Sequence, residues 1–528
     1  MSSVGVVVTT TAGAVEGRRE GELSVFKGIP YAAAPEGPLR MRAPAPPESW
    51  DGIRPALQYS VAPPQLPLTP GTPPLWRPAD GLDCLSVNVW TPGGTGDRLP
   101  VLVWIHGGGW KAGSSSDPAH DGATLARGGV VLVTFNYRVG FEGFGFVPGH
   151  PANRGFLDQT AALRWVHDNI AAFGGDPDKV TLFGESGGGL SIAALLSAPA
   201  ARGLFRRAIV QSPAARLLPE HEAQRIAELT AAALGVAPAE LATQPPLALL
   251  SVQDEPLAAM EADPGAWTTP EAITAFTPVI DGVTVVDKPW LALGSGVARD
   301  IDLITGSTRD EFTLFALSRG LIKPSASAMI KALPTFARIT AHGMRSHGLP
   351  KARRPTPLRT VDLSTTAAHL GLPASAPAAY RAAYPGSTDA ELYVVMYSDA
   401  MFRMPAIWLA EAHTAAGGRS YVYDFAWASP ALGGALGACH VADIPVTFGN
   451  TDSPLASFVL GGARPSESLL RLSEQLRSSW ISFATNGDPG WPVFTTDGAL
   501  TRIWDTPPMV AADPLAASRQ IWQGLSGR

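Results

Sequence analysis

Val180-Thr181-Leu182-Phe183-Gly184-Glu185-Ser186-Gly187-Gly188, running on into Leu190-Ser191-Ile192-Ala193-Ala194-Leu195-Leu196, is the stretch that decides the fold. An apolar run leads into a Gly-x-Ser-x-Gly pentapeptide, and a helix-like segment follows. Strand, sharp turn and helix are the context that makes this short pattern a nucleophile elbow with Ser186 at its tip. The flanking glycines have a physical reason. A serine presented on so tight a turn sits at a strained backbone angle with neighbouring chain pressed close, leaving no room for side chains on either side.

A second motif lies upstream. The apolar run Val101-Leu102-Val103-Trp104-Ile105 reads as a buried parallel strand, and His106-Gly107-Gly108-Gly109-Trp110 follows it directly. Acyl transfer passes through a tetrahedral oxyanion, which needs preorganised N–H donors in a site that excludes water. A glycine run at a strand end can turn its N–H groups toward a substrate without obstruction, and the residue after the nucleophile supplies a further donor. Gly108, Gly109 and Gly187 are the expected donors.

A serine needs a base, and the base needs an acid to hold its tautomer. Of the ten histidines, His167 lies in a helix-like segment, and His342 and His347 lie in a polar stretch. His440 stands in Gly437-Ala438-Cys439-His440-Val441-Ala442-Asp443, a loop that follows the strand-like run Tyr421-Val422-Tyr423-Asp424-Phe425. For the acid, Ile301-Asp302-Leu303-Ile304-Thr305-Gly306 reads as a strand that delivers Asp310 and Glu311 just beyond its end. Acids at the C-terminal ends of parallel strands reach the crevice where such sites form. Spacing alone leaves Asp310, Glu311 and Asp443 all open.

The chain resembles the type-B carboxylesterases, the family that includes para-nitrobenzyl esterases and cholinesterases. Carrying the resemblance are Phe26-Lys27-Gly28-Ile29-Pro30-Tyr31-Ala32, Asp83-Cys84-Leu85-Ser86-Val87-Asn88-Val89-Trp90, the HGGGW run and Asn136-Tyr137-Arg138-Val139-Gly140. Asn169 to Pro177, Phe205 to Ser212, Thr277 to Gly282, Asp310-Glu311 and His440 to Asn450 continue it to near the C-terminus. The resemblance implies an α/β-hydrolase fold: a large, mostly parallel central sheet flanked by helices, with inserted cap segments. It also implies that Glu311 is the acid, so that Ser186, Glu311 and His440 form the triad, and that Ser212 hydrogen-bonds that acid.

Departures from the family pattern are equally visible. Gly187 replaces the usual alanine after the nucleophile, and Phe312 stands where glycine commonly follows the acid. Leu82 replaces an acidic residue, so the usual ion pair with an arginine such as Arg40 is expected to be missing. Cys84 matches a family half-cystine, yet no cysteine precedes it. In cholinesterases, bulky aromatics narrow the acyl pocket at positions that correspond here to Ala272 and Thr274, before Phe276. Both residues are small, which points to a roomier acyl pocket, with Trp110, Trp76 and Phe141 as candidate apolar walls.

Composition sets the outer limits. The 528 residues are 45% hydrophobic and carry a net charge of −6, which supports a substantial core and argues against a nucleic-acid partner. Two cysteines are too few for a disulfide framework. The N-terminal residues lack a basic leader, and no run approaches the roughly 20 apolar residues that span a bilayer. One catalytic unit over residues 1–528 is expected, with cap insertions at about 220–262 and 313–415. The proline-rich residues 63–78 suggest a loop over the site or a static surface coil. The expected activity is hydrolysis of small-molecule carboxylic esters, with no cofactor or metal, in the cytoplasm, by a monomer or weak homo-oligomer without nucleic-acid or membrane partners. An amidase or carbamate hydrolase using the same triad is the alternative, as is a non-catalytic cholinesterase-like binding protein. His440 must be neutral to act, and an unperturbed imidazole titrates near about pH 6.5, so activity is expected to fall on the acid side with one ionisation.

Overall fold

Among the described residues, seven strands run parallel through the centre of the sheet. In spatial order they are Val131–Phe135, Leu99–Ile105, Gly175–Glu185, Arg207–Gln211, Asp302–Thr308, Ser420–Phe425 and Leu500–Trp504. The structure is a computed structural model and describes residues 5–68, 73–268, 274–330, 332–333, 349–350, 356–358, 360–461 and 464–526. Val101 to Ile105 are all fully buried, as a parallel strand covered on both faces must be. Among the described residues the sheet has 13 strands, one of which, Ile53–Pro55, pairs with Ala14–Glu20 beside the main order. Ser86–Thr91, Leu23–Pro30, Ala14–Glu20 and Gly5–Thr9 extend it antiparallel at one edge, and Met509–Ala512 closes the other.

Parallel strands need crossovers, and the intervening helices supply them while covering the two faces. Arg154–Asn169 and Gly187–Leu195 belong to one apolar cluster, and Glu467–Asn486, with Trp480 and Phe483, belongs to the other. Ser466 caps the last of these helices by accepting the Leu469 N–H, and Gly487 ends it in the left-handed conformation.

Residues 220–262 carry the helices Glu220–Leu234, Pro246–Val252 and Glu255–Ala262. Within 313–415, the helices Thr313–Ser318, Leu363–His369, Ala376–Ala383 and Asp389–Ser398 precede Met404–Ala415. That last helix lies against the strands Asp302–Thr308 and Ser420–Phe425, so the end of this segment covers the sheet itself. The proline-rich stretch, of which residues 69–72 lie outside the described set, is anchored at Gln65. Its buried side chain accepts the Gly113 N–H at 2.8 Å and donates to the Gly113 carbonyl at 2.9 Å. No helix among the described residues is long and apolar enough to cross a membrane.

The C-terminal ends of the parallel strands therefore point one way, and four of them carry the candidate residues. Leu99–Ile105 delivers the His106 to Trp110 run, Gly175–Glu185 delivers Ser186, Asp302–Thr308 delivers Glu311, and Ser420–Phe425 leads to the His440 loop.

Candidate active site

Ser186 holds a backbone conformation that L-residues avoid, φ 58° and ψ −123°. The turn is fixed from three sides. Ser186 N–H donates to the Gln211 carbonyl at 3.0 Å, and its own carbonyl accepts from Leu190 at 2.9 Å and from Ala214 at 3.4 Å. Glycine is obligatory on the flanks: a β-carbon on Gly184 would sit 2.6 Å from the Ile105 carbonyl oxygen, and one on Gly188 would collide with the same carbonyl. At Gly187 an added methyl would meet the Trp110 ring and backbone nitrogen at 3.3 Å. The indole thus fills the space left by the missing alanine methyl.

The HGGGW run is wound tightly. Gly108 has φ 99° and Gly109 φ 59°, and a side chain on Gly108 would run into the Ala112 carbonyl. Among the described residues, the N–H groups of Gly108 and Gly109 donate to no backbone carbonyl. Gly187, in the first turn of its helix, has no intrahelical acceptor for its N–H. Trp110 is held by its Nε1–H on Ser191 Oγ at 3.1 Å and by the Gly140 N–H on its carbonyl.

Geometry separates the three candidate acids. His440 Nδ1 lies 2.5 Å from Glu311 Oε2, and the other Glu311 oxygen accepts the Thr308 N–H at 2.8 Å. Asp310, one residue away, instead clamps the histidine loop: its carboxylate accepts the Ala438 N–H at 2.8 Å, and its own N–H donates to the Ala438 carbonyl at 2.9 Å. Asp443 accepts from Gln211 Nε2 at 2.8 Å. Ser212 departs from expectation. Its backbone is strained, φ 46°, and its buried hydroxyl makes no hydrogen bond among the described residues, to Glu311 or to any other group.

The far edge of the imidazole meets a group whose role the residue pattern did not disclose. His440 Nε2 lies 3.1 Å from Glu185 Oε1, and both side chains are buried. Burial, reinforced by Asp443 and Glu311 and opposed by His440, pushes the Glu185 carboxyl up to about 8. Burial works against a charged imidazole, but the carboxylates of Glu185 and Glu311 outweigh it and raise His440 to about 9. Burial likewise raises Asp443, to about 6, against the hydrogen bond from Gln211. Both shifts favour a proton at the Glu185–His440 contact and lift the imidazole above the range expected from residue type alone. Two phenyl rings cover the imidazole: Phe402 at 4.5 Å and Phe315 at 5.4 Å between centroids.

A buried serine on a strained elbow, a histidine on a carboxylate and a coil of glycine N–H groups converge at one end of the sheet. The carboxylesterase family model matches residues 4–506. The chain belongs to the carboxylesterase family. It is accordingly a carboxylic ester hydrolase of the α/β-hydrolase fold. This carboxylesterase is 35% identical to para-nitrobenzyl esterase of Bacillus subtilis (strain 168), an alignment that covers 97% of this chain and 98% of the relative. It is also 35% identical to phenmedipham hydrolase of Pseudarthrobacter oxydans, over 96% and 97% of the two chains. Among solved structures, a thermophilic PNB esterase superposes with a TM-score of 0.80 at 33% identity, covering 98% of this chain and 99% of that one.

The remaining expected site residues of the carboxylesterase fall in different places. Phe141 and Phe276 pack edge to face at 5.4 Å, and Trp110 meets Phe144 beside them. Thr274 is buried and accepts the Phe276 N–H at 3.1 Å, while Ala272 lies outside the described residues. Trp76 belongs to a separate small cluster with Ala62, Leu66 and Leu250, its Nε1–H on the Gly81 carbonyl. Arg40, deprived of an acidic partner at Leu82, pairs with Glu142 through Nε at 3.0 Å. Cys84 and Cys439 are both buried and free.

Proposed function

We propose that this carboxylesterase works by acylation of Ser186, with His440 as general base and then acid, Glu311 as its orienting carboxylate, and Gly108, Gly109 and Gly187 as oxyanion donors. The observation that carries the reading is the 2.5 Å contact of His440 Nδ1 with Glu311, which leaves Nε2 as the working nitrogen beside the elbow. Nε2 removes the Ser186 proton as Oγ bonds to the ester carbonyl carbon. The carbonyl oxygen takes the negative charge and rests on the glycine N–H groups. Collapse breaks the bond to the alcohol oxygen, which leaves with the proton from the imidazolium. Water then repeats the sequence on the acyl-enzyme and frees the acid. In the resting arrangement His440 Nε2 lies 3.1 Å from Glu185 Oε1, a contact without a hydrogen bond, so arming the nucleophile requires that nitrogen to turn to the Ser186 hydroxyl.

Small side chains at Ala272 and Thr274 support a broad acyl range, from short to medium and aromatic acyl groups, with the Phe141–Phe276 pair as an apolar wall. We read residues 220–262 and the first part of 313–415 as cap insertions on a single catalytic unit. Two buried free thiols fit a reducing compartment, and we place the enzyme in the cytoplasm as a monomer or weak homo-oligomer. The deciding test is labelling with an organophosphonate ester, followed by peptide mapping. The adduct is expected on Ser186, and Ser186→Ala is expected to lose on the order of 10⁶ in kcat. An adduct on any other serine overturns the assignment.

A further inference from the structure

Helix runs from Asp389 to Ala415 through one irregular turn. Asp389–Ser398 and Met404–Ala415 are α-helical, and Asp399–Arg403 between them is a π-turn, in which the Met404 N–H bonds the Asp399 carbonyl five residues back. Pro405 gives the cause. It has no N–H for the Met401 carbonyl four residues before it, so the regular ladder is broken there.

Each group freed or displaced by this turn reaches a different part of the active site. The Met401 carbonyl accepts the Ala215 N–H at 2.8 Å, next to Ala214, whose N–H is on the Ser186 carbonyl. Phe402 lays its ring on the His440 imidazole. Arg403 Nη2 donates to the Arg309 carbonyl at 2.6 Å, and Ser398 Oγ, just before the turn, accepts the Phe312 N–H at 2.9 Å. Arg309 and Phe312 bracket Glu311, so the acid is gripped on both sides from one helix. The grip is itself braced. Arg403 pairs with Asp399 inside the turn, both fully buried, and Tyr380 Oη donates to Asp399 at 2.7 Å while accepting Trp522 Nε1–H at 2.6 Å.

We infer that the π-turn at Asp399–Arg403, with Ser398, is the positioning element of the catalytic centre, and that Ser398, Phe402 and Arg403 act as positioning residues that hold Glu311 and His440 in register with Ser186. The inference rests on the triad proposed above. A helix with an N–H at position 405 could not serve in this way, because its Met401 carbonyl would be consumed within the helix. Buried ion pairs contribute little net stability, whereas they fix geometry where both charges have one arrangement. Misplacing reacting groups by about 1 Å costs on the order of 10² in rate.

The test uses the full chain with Ser398→Ala, Phe402→Leu and Arg403→Lys. Lysine keeps the charge beside Asp399 but lacks the planar fork needed to bond Arg309 as well. Ser398→Ala removes one hydroxyl and is the variant least able to disturb folding. For each protein, thermal melting, kcat and KM for a 4-nitrophenyl ester, and the pH profile of kcat/KM are measured. Organophosphonate labelling of the parent enzyme at Ser186 is checked first. The expected result for Ser398→Ala and Arg403→Lys is a kcat lowered about tenfold with KM little changed. The acid limb of kcat/KM moves to lower pH, because an imidazole faced by Glu185, Glu311 and Asp443 loses part of its contact with Glu311. Folded Ser398→Ala with unchanged kcat and an unmoved acid limb overturns the inference, as does a lower kcat with no movement of the limb. Absence of label at Ser186 in the parent overturns the triad first, and this inference with it.

Discussion

Glutamine at position 185 would keep the side chain's shape while removing an anion 3.1 Å from the working nitrogen of His440. At an effective dielectric constant of about 20, a unit charge at that distance is worth roughly 5 kcal/mol, or between three and four pKa units, as an upper bound. Two effects reduce it. Glu185 is itself raised to about 8, so it is only partly ionised near neutrality, and Glu311 still faces Nδ1 in the variant. A shift of about one to two units is the expected remainder. The sign follows from the charge: a carboxylate favours imidazolium, so losing it lowers the His440 pKa from its raised value near 9. His440 is competent as a base only when neutral, so the variant should stay active further into acid. The plateau at high pH should fall, because the imidazolium formed with the tetrahedral intermediate loses a stabilising charge. The assay is kcat/KM for 4-nitrophenyl acetate from about pH 5 to 10 at constant ionic strength, with the parent's acid limb expected above the ordinary imidazole value of about 6.5. Coincident acid limbs in parent and variant, or a limb displaced upward in Glu185→Gln, would refute the electrostatic account.

Glu311→Gln should fold normally and lose at least about 10³ in kcat, because an amide supports the wrong imidazole tautomer. Asp310→Asn should lose far less, since Asp310 holds the Ala438 backbone and not the ring; kinetics on the two variants decide it, and a reversed order makes Asp310 the acid. Gly187→Ala should lower kcat several-fold, because the new methyl meets Trp110 at 3.3 Å and Trp110 is pinned to Ser191. Combining it with Trp110→Phe should restore part of the loss, and a fully additive pair would show that the two residues do not compete for space. Across acetyl, butyryl, hexanoyl and benzoyl esters of one alcohol, kcat/KM should hold or rise, each buried methylene being worth up to about 0.8 kcal/mol. A steep loss beyond acetyl would mean a narrow pocket, and a carbamate in the same panel tests the alternative substrate class.

What could be read from residue order follows the range over which each constraint acts. Ser186 and the Gly108–Gly109 coil were legible because their demands are on the local backbone: positive φ, and neighbouring carbonyls that leave no room for a β-carbon. Val101–Ile105 and the Val180–Phe183 part of the next strand were legible as apolar runs, whereas Leu500–Trp504, with Thr501 and Arg502, carries no such signal. His440 and Glu311 are separated by 128 intervening residues, and nothing local distinguishes a histidine on a carboxylate from one in solvent. Choosing Glu311 over Asp310 needed the family resemblance; the structure supplies the physical difference, one carboxylate on the ring and the next on the loop that carries it. Where resemblance was the sole guide, it was less complete. The Ser212 hydroxyl makes no hydrogen bond to the acid, and Arg40 exchanges its usual partner for Glu142. Glu185 was present in the elbow motif all along, but its contact with His440 depends on a loop more than 250 residues later in the chain. The ties from Ser398 and Arg403 to the acid loop show the same logic at its extreme. Pro405 is a local signal for a ladder broken at the Met401 carbonyl, yet what that carbonyl then holds is decided only when the helix docks beside the site.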